Sequence, residues 1–508
     1  MSEPAPRLGR RVGVIDIGSN SVRFVVYNIF GAAFFPTFNE KVLAGLGRGL
    51  RETGALSPEG KADTLAALKR FRHIVNARNL KPVLIGATAA MREATDGPAF
   101  QAEILRETGF DIAPISGPEE ARLGANGVLA GDKRALGLAC DLGGASLEIT
   151  PVEETGAGQG VSLKLGPFQV VGDDLTSDFD SETARPEIAS ALADVDVELG
   201  EHRTLHLIGG AWRNLALIHQ ERTGYPLAVL QGYSLDPSEL LAHCRWAYGP
   251  GRQEVLDWSG ISSQRRETLP YGALALEELI KRYDPDEIRI SVTGLREGLV
   301  VDHLGEIRRK RTPLIDGCRD LARGNLQAEG LAKPLGRFLA PIEDHLPKAF
   351  QPANEARLRE AARHLAGMGR GLHPDHRAEL VFENVLFAPL SGLLHPERAY
   401  LAHILHNSYT FGGTTSQEEA MDRLLKPEQR QAARIYGTAI RLGESTCGRA
   451  PELFDHVDLS WDKKPVLSTH IGYESLLGGK ALYRLQQIGE LLDETDEEFQ
   501  GMAVAVSP

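Results

Sequence analysis

Residues 139–150 read ACDLGGASLEIT, and residues 14–24 read VIDIGSNSVRF. Both follow one grammar: an apolar run, an Asp, one aliphatic residue, a Gly, then small hydroxyl or amide residues. The two acids, Asp16 and Asp141, stand 125 positions apart, and only the second is followed seven residues later by a Glu, Glu148. A strand that runs into such a turn suits a phosphate. Glycine lets backbone N–H groups approach an anion, and Ser and Asn side chains add donors. A carboxylate beside a phosphate needs a cation between them, which implies Mg²⁺. A single Asp of this kind reads as an acid that stabilises a tight turn. Two matched turns can grip one ligand from both sides.

The surroundings of both turns alternate strands with helices. VGVIDI, SVRFVVYNIF, KPVLIGATAA and ALGLACDLGG read as strands, the last two entering small residues. SPEGKADTLAALKRFRHIVNA reads as a helix with Ser57 as N-cap and Pro58 at its first position. Leu65, Leu68, Phe71 and Val75 mark its apolar side, with Arg72 as a polar interruption. LHLIGGAWRNLA (205–216) and EIRISVTGLREGLV (287–300) each read as a strand, a Gly turn and a helix. The expectation is an α/β architecture with domains at 1–133 and 134–305. From 306 to 508 the chain becomes rich in Leu, Ala, Arg and His at helical spacing, so a mainly helical domain follows. Within it, ELFDHVDLSWDKKPVLSTH reads as a strand hairpin and GGKALYRLQQIGELLDE as a last helix.

Composition narrows the function classes. The chain has 508 residues, 42% hydrophobic and 25% charged, the ordinary globular range. No apolar run reaches the length of a membrane span, and MSEPAPRLGRR lacks the apolar segment of a secretory signal, so a cytoplasmic location is expected. The net charge of −13 argues against nucleic-acid coating, although a local cationic channel can still hold a polyanion. Cys140, Cys244, Cys318 and Cys447 are widely spaced, with no CxxC pair, and are expected to be reduced.

Several further stretches carry possible chemistry. No Walker A, HExxH or GxSxG pattern occurs, and GLGRGL (45–50) misses the dinucleotide-binding spacing. In ISGPEEARL (115–123), Pro118 suits a helix start, and Glu119 and Glu120 complement the helix dipole there. Beside a phosphate site, such a carboxylate can instead orient or deprotonate a water. GATAAMREA (86–94) sets Thr88 at a strand end and Arg92 a turn later. The fork of an Arg can bond two phosphate oxygens.

Taken in order, GVIDIGSNSVRFVVY, GLGRGLRETGALSPE, IGATAAMREA, ISGPEEARL, DLGGASLEI and SVTGLREGLV resemble the motifs of the exopolyphosphatase/guanosine pentaphosphate phosphatase (Ppx/GppA) family over residues 10–305. The resemblance implies two ribonuclease-H-like domains of the sugar kinase/actin/Hsp70 superfamily facing across a cleft, each giving one phosphate loop. Gly18, Ser19, Asn20 and Ser21 match the first loop, and Gly143, Gly144, Ala145 and Ser146 the second. Arg23 and Arg92 match phosphate-facing arginines, and Thr88 is a further phosphate-binding candidate. Glu120 matches the proposed base, and Glu148 a second essential acid near a metal held with Asp16 and Asp141. Ala145 stands where the family usually has a third glycine, which strains the loop if that residue needs positive φ. The implied activity is release of orthophosphate from polyphosphate ends, with Mg²⁺, and with K⁺ as an activator. Attack on the 5′-phosphate of pentaphosphate guanosine is the same chemistry on another substrate. A non-catalytic polyphosphate or alarmone sensor is a third reading, and a kinase a weaker one. A homodimer, polyphosphate as substrate, (p)ppGpp binding, no nucleic acid and no membrane span complete the implied partners.

The C-terminal third resembles an HD phosphohydrolase domain without a His-Asp pair. His373, His376, His395, His403 and His406 are therefore expected to be core or surface histidines rather than metal ligands. RRKR (308–311), with Arg265 and Arg266, is a candidate path for a polyanion, or equally a solvated basic run.

Overall fold

The two similar stretches fold as two similar hairpins. In the computed structural model, which describes residues 10–176, 179–305, 310–323, 330–411, 414–493 and 504–506, the first stretch joins β1 (Arg10–Ile17) to β2 (Val22–Phe30). The sheet is completed by β3 (Ala33–Val42) and β4 (Val83–Ala87), in the order β3-β2-β1-β4. β1 pairs antiparallel with β2 and parallel with β4. The second stretch joins β5 (Gly137–Leu142) to β6 (Leu147–Glu153). Around it lie β7 (Gly156–Ala157), β8 (Val161–Leu163), β9 (Thr204–Gly209), β10 (Ser234–Leu235) and β11 (Glu287–Ile290). Their order is β10-β11-β9-β5-β6-β7, with β8 on β6. β5 repeats the neighbours of β1: an antiparallel hairpin partner on one side and a parallel strand, β9, on the other.

β1 is covered on both faces, which is why it reads as a continuous apolar run. Ile15 and Ile17 pack with Leu68 and Phe71 of the Pro58–Ala77 helix. Val12 and Val14 pack with Val300 of the Leu295–Leu304 helix. Ser57 caps the first of these helices, accepting a bond from Gly60 N at 3.1 Å. Arg72, the polar interruption on its apolar side, lays its guanidinium over Phe110, 3.7 Å from the ring centre. All four cysteines are buried and unbridged.

Two helices tie the sheets together. The Gly117–Gly131 helix follows the first sheet in sequence yet packs on β5 to β8. The Leu295–Leu304 helix follows the second sheet yet packs on β1 and β4. That last helix thus serves the first sheet, although it belongs in sequence to 134–305. The pair cross at backbone contact: a Cβ on Gly127 would lie 1.9 Å from the Gly294 carbonyl oxygen, and one on Gly298 would lie 1.9 Å from that of Leu123. Only glycine permits this approach.

The chain divides into one compact unit ending at Pro313 and a second beginning at Leu314. The second unit is mainly helical, including the helices Pro352–Leu365, Arg377–Leu386, His395–Asn407, Pro427–Thr446 and Gly479–Asp493. The expected hairpin forms from β12 (Val457–Asp462) and β13 (Lys464–Thr469), turning at Lys463 with φ 58, and β14 (Val504–Val506) adds in parallel. Among the described residues no helix is long and apolar enough to cross a membrane.

Candidate active site

Each hairpin turn is closed in the same way. Gly18 N donates to Ser21 O at 2.9 Å, and Gly143 N donates to Ser146 O at 2.9 Å. The N–H groups of Ser19, Asn20, Gly144 and Ala145 have no backbone acceptor among the described residues. They are therefore free of the backbone and available to an anion, the arrangement that a phosphate-binding nest uses. The turns also face each other: a Cβ on Gly144 would lie 3.2 Å from Ser19 Cβ. GLGRGL braces the first turn from behind, through Gly45 N to Asn20 O (3.1 Å) and Gly47 N to Ser19 O (2.8 Å). Ala145 is not among the positive-φ residues, so its methyl brings no backbone strain. The crowding falls instead on Gly166, where a Cβ would lie 2.3 Å from Ala145 N.

Register then sets the chemistry. Asp16 pairs across the strands with Arg23, and Arg23 with Lys41. Asp141 pairs with Glu148, and Glu148 with Ser162. Cross-strand partners share one face of a sheet. One hairpin therefore presents a row that turns cationic, and the other a row that stays acidic. Glu148 is 4% exposed and accepts a bond from Ser162 Oγ at 2.7 Å. Burial, then the nearby Glu120 and Asp141, push its carboxyl well above the usual range.

Glu120 lies near the start of the Gly117–Gly131 helix, which Ser116 caps through Glu119 N. Burial raises Glu120 to about 7; Arg92 opposes the shift, while Asp141 and Asp16 add to it. Arg92 donates from Nη1 to Glu120 Oε2 (3.2 Å) and to Ile115 O (2.7 Å). Its partner is thus the acid proposed as base. Glu119 is held elsewhere, bonded by both Nε (2.9 Å) and Nη2 (2.7 Å) of Arg122. Asp141 is raised to about 6, first by burial, with Arg213 opposing and Asp16 adding. Thr88 is buried at the end of β4, its N–H bonded to Ile17 O at 3.1 Å. Arg23 donates to Asn39 Oδ1 at 2.8 Å.

Three cations of this site were not singled out from the sequence. Arg296 Nη1 donates to Asp16 Oδ2 at 3.0 Å. Arg213 is lowered to about 10 by burial and by Arg296. Lys41 is lowered to about 7 by burial, then by Arg265, Arg23 and Arg213, and it forms no ion pair among the described residues. Arg213 and Arg296 each sit just after a Gly turn at a strand end, a placement that marks them in the sequence. Lys41 carries no local signal, because only strand register brings it into line. Of the proposed basic path, Arg265 joins this cluster, whereas Arg266 donates to Trp258 O at 2.9 Å. Arg308 and Arg309 lie outside the described residues.

The carboxylate oxygens of Asp16, Asp141 and Glu148 suit a hard divalent cation in donor chemistry. They do not converge as a closed ligand set: among the described residues no three acidic, His or Cys side chains come close enough to hold one ion. A hard cation such as Mg²⁺ commonly binds through one or two carboxylates together with substrate oxygens and water. In the C-terminal unit, His395, His403 and His406 are buried in the core, and burial pushes His403 down to about 3. His373 and His376 are exposed.

Comparison with known proteins bears on the family and the fold. A family model described as the Ppx/GppA phosphatase family matches residues 25–307, and one described as the exopolyphosphatase C-terminal region matches residues 323–497. Over 311 residues the chain is 25% identical to exopolyphosphatase 1 of Mycobacterium tuberculosis, which covers 58% of this chain and 88% of that one. A solved exopolyphosphatase from Cytophaga hutchinsonii aligns with TM-score 0.52 at 23% identity, covering 59% of this chain and 99% of its own. A solved Aquifex aeolicus Ppx/GppA family member aligns with TM-score 0.51 at 22% identity, covering 60% and 99%. These two structures support the fold of the N-terminal unit, a pair of α/β domains. With the helical unit matched as well, the chain belongs to the Ppx/GppA phosphatase family and carries that family's exopolyphosphatase-type C-terminal domain.

Proposed function

We propose that the protein is an exopolyphosphatase that removes terminal phosphoryl groups from inorganic polyphosphate. The observation that supports this reading is the cationic row, Arg23 and Lys41 with Arg213 and Arg265 close by, which starts beside an acidic centre. Cations held together with so little neutralisation are suited to a polyanion. The acids are suited to work on its end.

In this reading the terminal phosphoryl group lies between the two turns, held by their backbone N–H groups. Water attacks the terminal phosphorus in line, and the bridging P–O bond breaks as the new P–O bond forms. Glu120 orients that water and takes its proton. A carboxylate held near neutrality is well matched to this task. Arg92, already in contact with Glu120, moves its fork onto the phosphoryl oxygens. Mg²⁺ on Asp141, Glu148 or Asp16 would add neutralisation of phosphate charge when bound.

The test is orthophosphate release from long-chain polyphosphate and from pentaphosphate guanosine, with and without Mg²⁺. Faster release from polyphosphate, dependent on Mg²⁺, is expected. Faster turnover of the nucleotide would transfer the assignment to it. No release from either would leave a binding protein.

A further inference from the structure

The C-terminal unit contains a cavity of about 490 Å³, all of whose lining residues lie between 374 and 484. Five cations line it: Arg377, Arg441, Arg449, Lys480 and Arg484. Only two carboxylates, Asp375 and Glu444, accompany them. In a chain of net charge −13 this excess does not follow from composition. Glu444 is 3% exposed; its Oε2 accepts from Arg449 Nε at 2.9 Å, while its Oε1 is buried without a hydrogen-bond donor among the described residues. Asp375 is exposed and lies 3.8 Å from His373. Arg484 donates to an amide, Gln487 Oε1, at 2.5 Å. Among the described residues neither Arg441 nor Lys480 has an ion-pair partner. Burial lowers Arg441 to about 10, and repulsion from Arg484 and Arg449 adds to that.

A solvated basic face spreads its charges apart. Here they converge on a hollow that also presents the hydroxyl-bearing residues Ser408, Thr410 and Ser445. Arg377 Nε is buried there without an acceptor. We propose that this cavity is an anion site for a small molecule bearing a di- or triphosphate group. The surplus of three positive charges exceeds what one orthophosphate neutralises and matches a short oligophosphate. The volume falls in the range of small-ligand sites. Tyr483, 54% exposed with its ring centre 5.2 Å from the Arg484 guanidinium, offers an aromatic face beside the charges. The inference does not depend on the reaction assigned to the N-terminal unit.

The test is titration calorimetry on the full chain in a Glu120→Gln background, with tripolyphosphate, adenosine triphosphate, orthophosphate and long-chain polyphosphate as separate probes. Besides any binding at the N-terminal site, tripolyphosphate and the nucleotide should each fill one further site that Arg441→Gln/Arg484→Gln removes. Arg441→Lys/Arg484→Lys should retain that site, and orthophosphate should bind it at least about tenfold more weakly. Lys480→Gln/Arg484→Gln, altered on the outer helix alone, provides a second variant should the first not fold, with the same site weakened about tenfold. Unchanged stoichiometry and affinity in folded variants would overturn the proposal, as would orthophosphate binding as tightly as tripolyphosphate. Loss confined to long-chain polyphosphate would overturn it in favour of a grip on the polymer.

Discussion

Across the first sheet, Asp16 is followed by Arg23 and Lys41; across the second, Asp141 is followed by Glu148 and Ser162. The backbone of the two regions is the same device, down to the 2.9 Å bond that closes each turn. Their neighbours give them different work. Asp16 is bonded by Arg296 and leads toward a cluster of cations. Asp141 lies beside Glu148, and burial and repulsion from neighbouring acids push both carboxyls above their usual range. A repeated Asp-Gly turn thus becomes asymmetric through one cross-strand position. In the proposed function the cationic side receives the chain and the acidic side acts on its end.

The comparison breaks most sharply at the base. Glu120→Gln should lower kcat about 10²–10⁴-fold while substrate still binds. In the unsubstituted protein, activity should fall as pH drops below about 7, where burial protonates Glu120, and the variant should lose that limb. An unaffected rate would remove Glu120 and also the acidic side's assigned role. Next, Glu148→Gln should lower kcat about 10²-fold with little change in far-UV circular dichroism. If it altered only KM, the two rows would be performing the same task.

On the cationic side, Lys41→Gln should raise KM for long-chain polyphosphate about tenfold, the cost of one charge-assisted contact. It should also flatten the dependence of KM on salt, with kcat nearly unchanged. An equal loss in kcat would place Lys41 at the reacting phosphoryl group instead.

The smallest effect concerns stability rather than rate. Burial acts to raise the Glu277 carboxyl, but bonds from Tyr248, Arg245 and Lys281 outweigh it and hold the group at about 2. Its folded value is depressed, so its stabilisation is complete above the ordinary carboxylate range. It is lost as pH falls from about 4.5 toward 2. Glu277→Gln should flatten this acid limb, removing about 1–3 kcal/mol of pH-dependent stability in denaturant titrations. An unchanged limb would assign acid sensitivity to the acidic row.

Local signals were sufficient for much of this. The apolar runs before Asp16 and Asp141 mark the strands, Ser57 and Pro58 mark a helix start, and Lys463 marks a hairpin turn. Such features depend on a few consecutive residues, so they survive without tertiary context. Glu119 and Glu120 were both legible as acids at a helix start, but their difference was not. It depends on Arg122, which bonds Glu119, and on Arg92, which bonds Glu120. The cavity near Arg441 was also hidden, because it gathers residues from helices far apart in sequence.

By itself, the sequence determined the twin Asp-Gly turns, the α/β alternation and the helical C-terminal third, since these follow from periodicity and turn chemistry. Only the tertiary structure decided which groups meet. Strand register placed Lys41 in line with Asp16, and backbone contact at Gly127 and Gly298 fixed the crossing of the helices that carry Glu120 and Arg296. Charge acts through space, and burial is set by the whole fold. The same Asp can therefore be paired with an Arg in one turn and crowded by acids in the other.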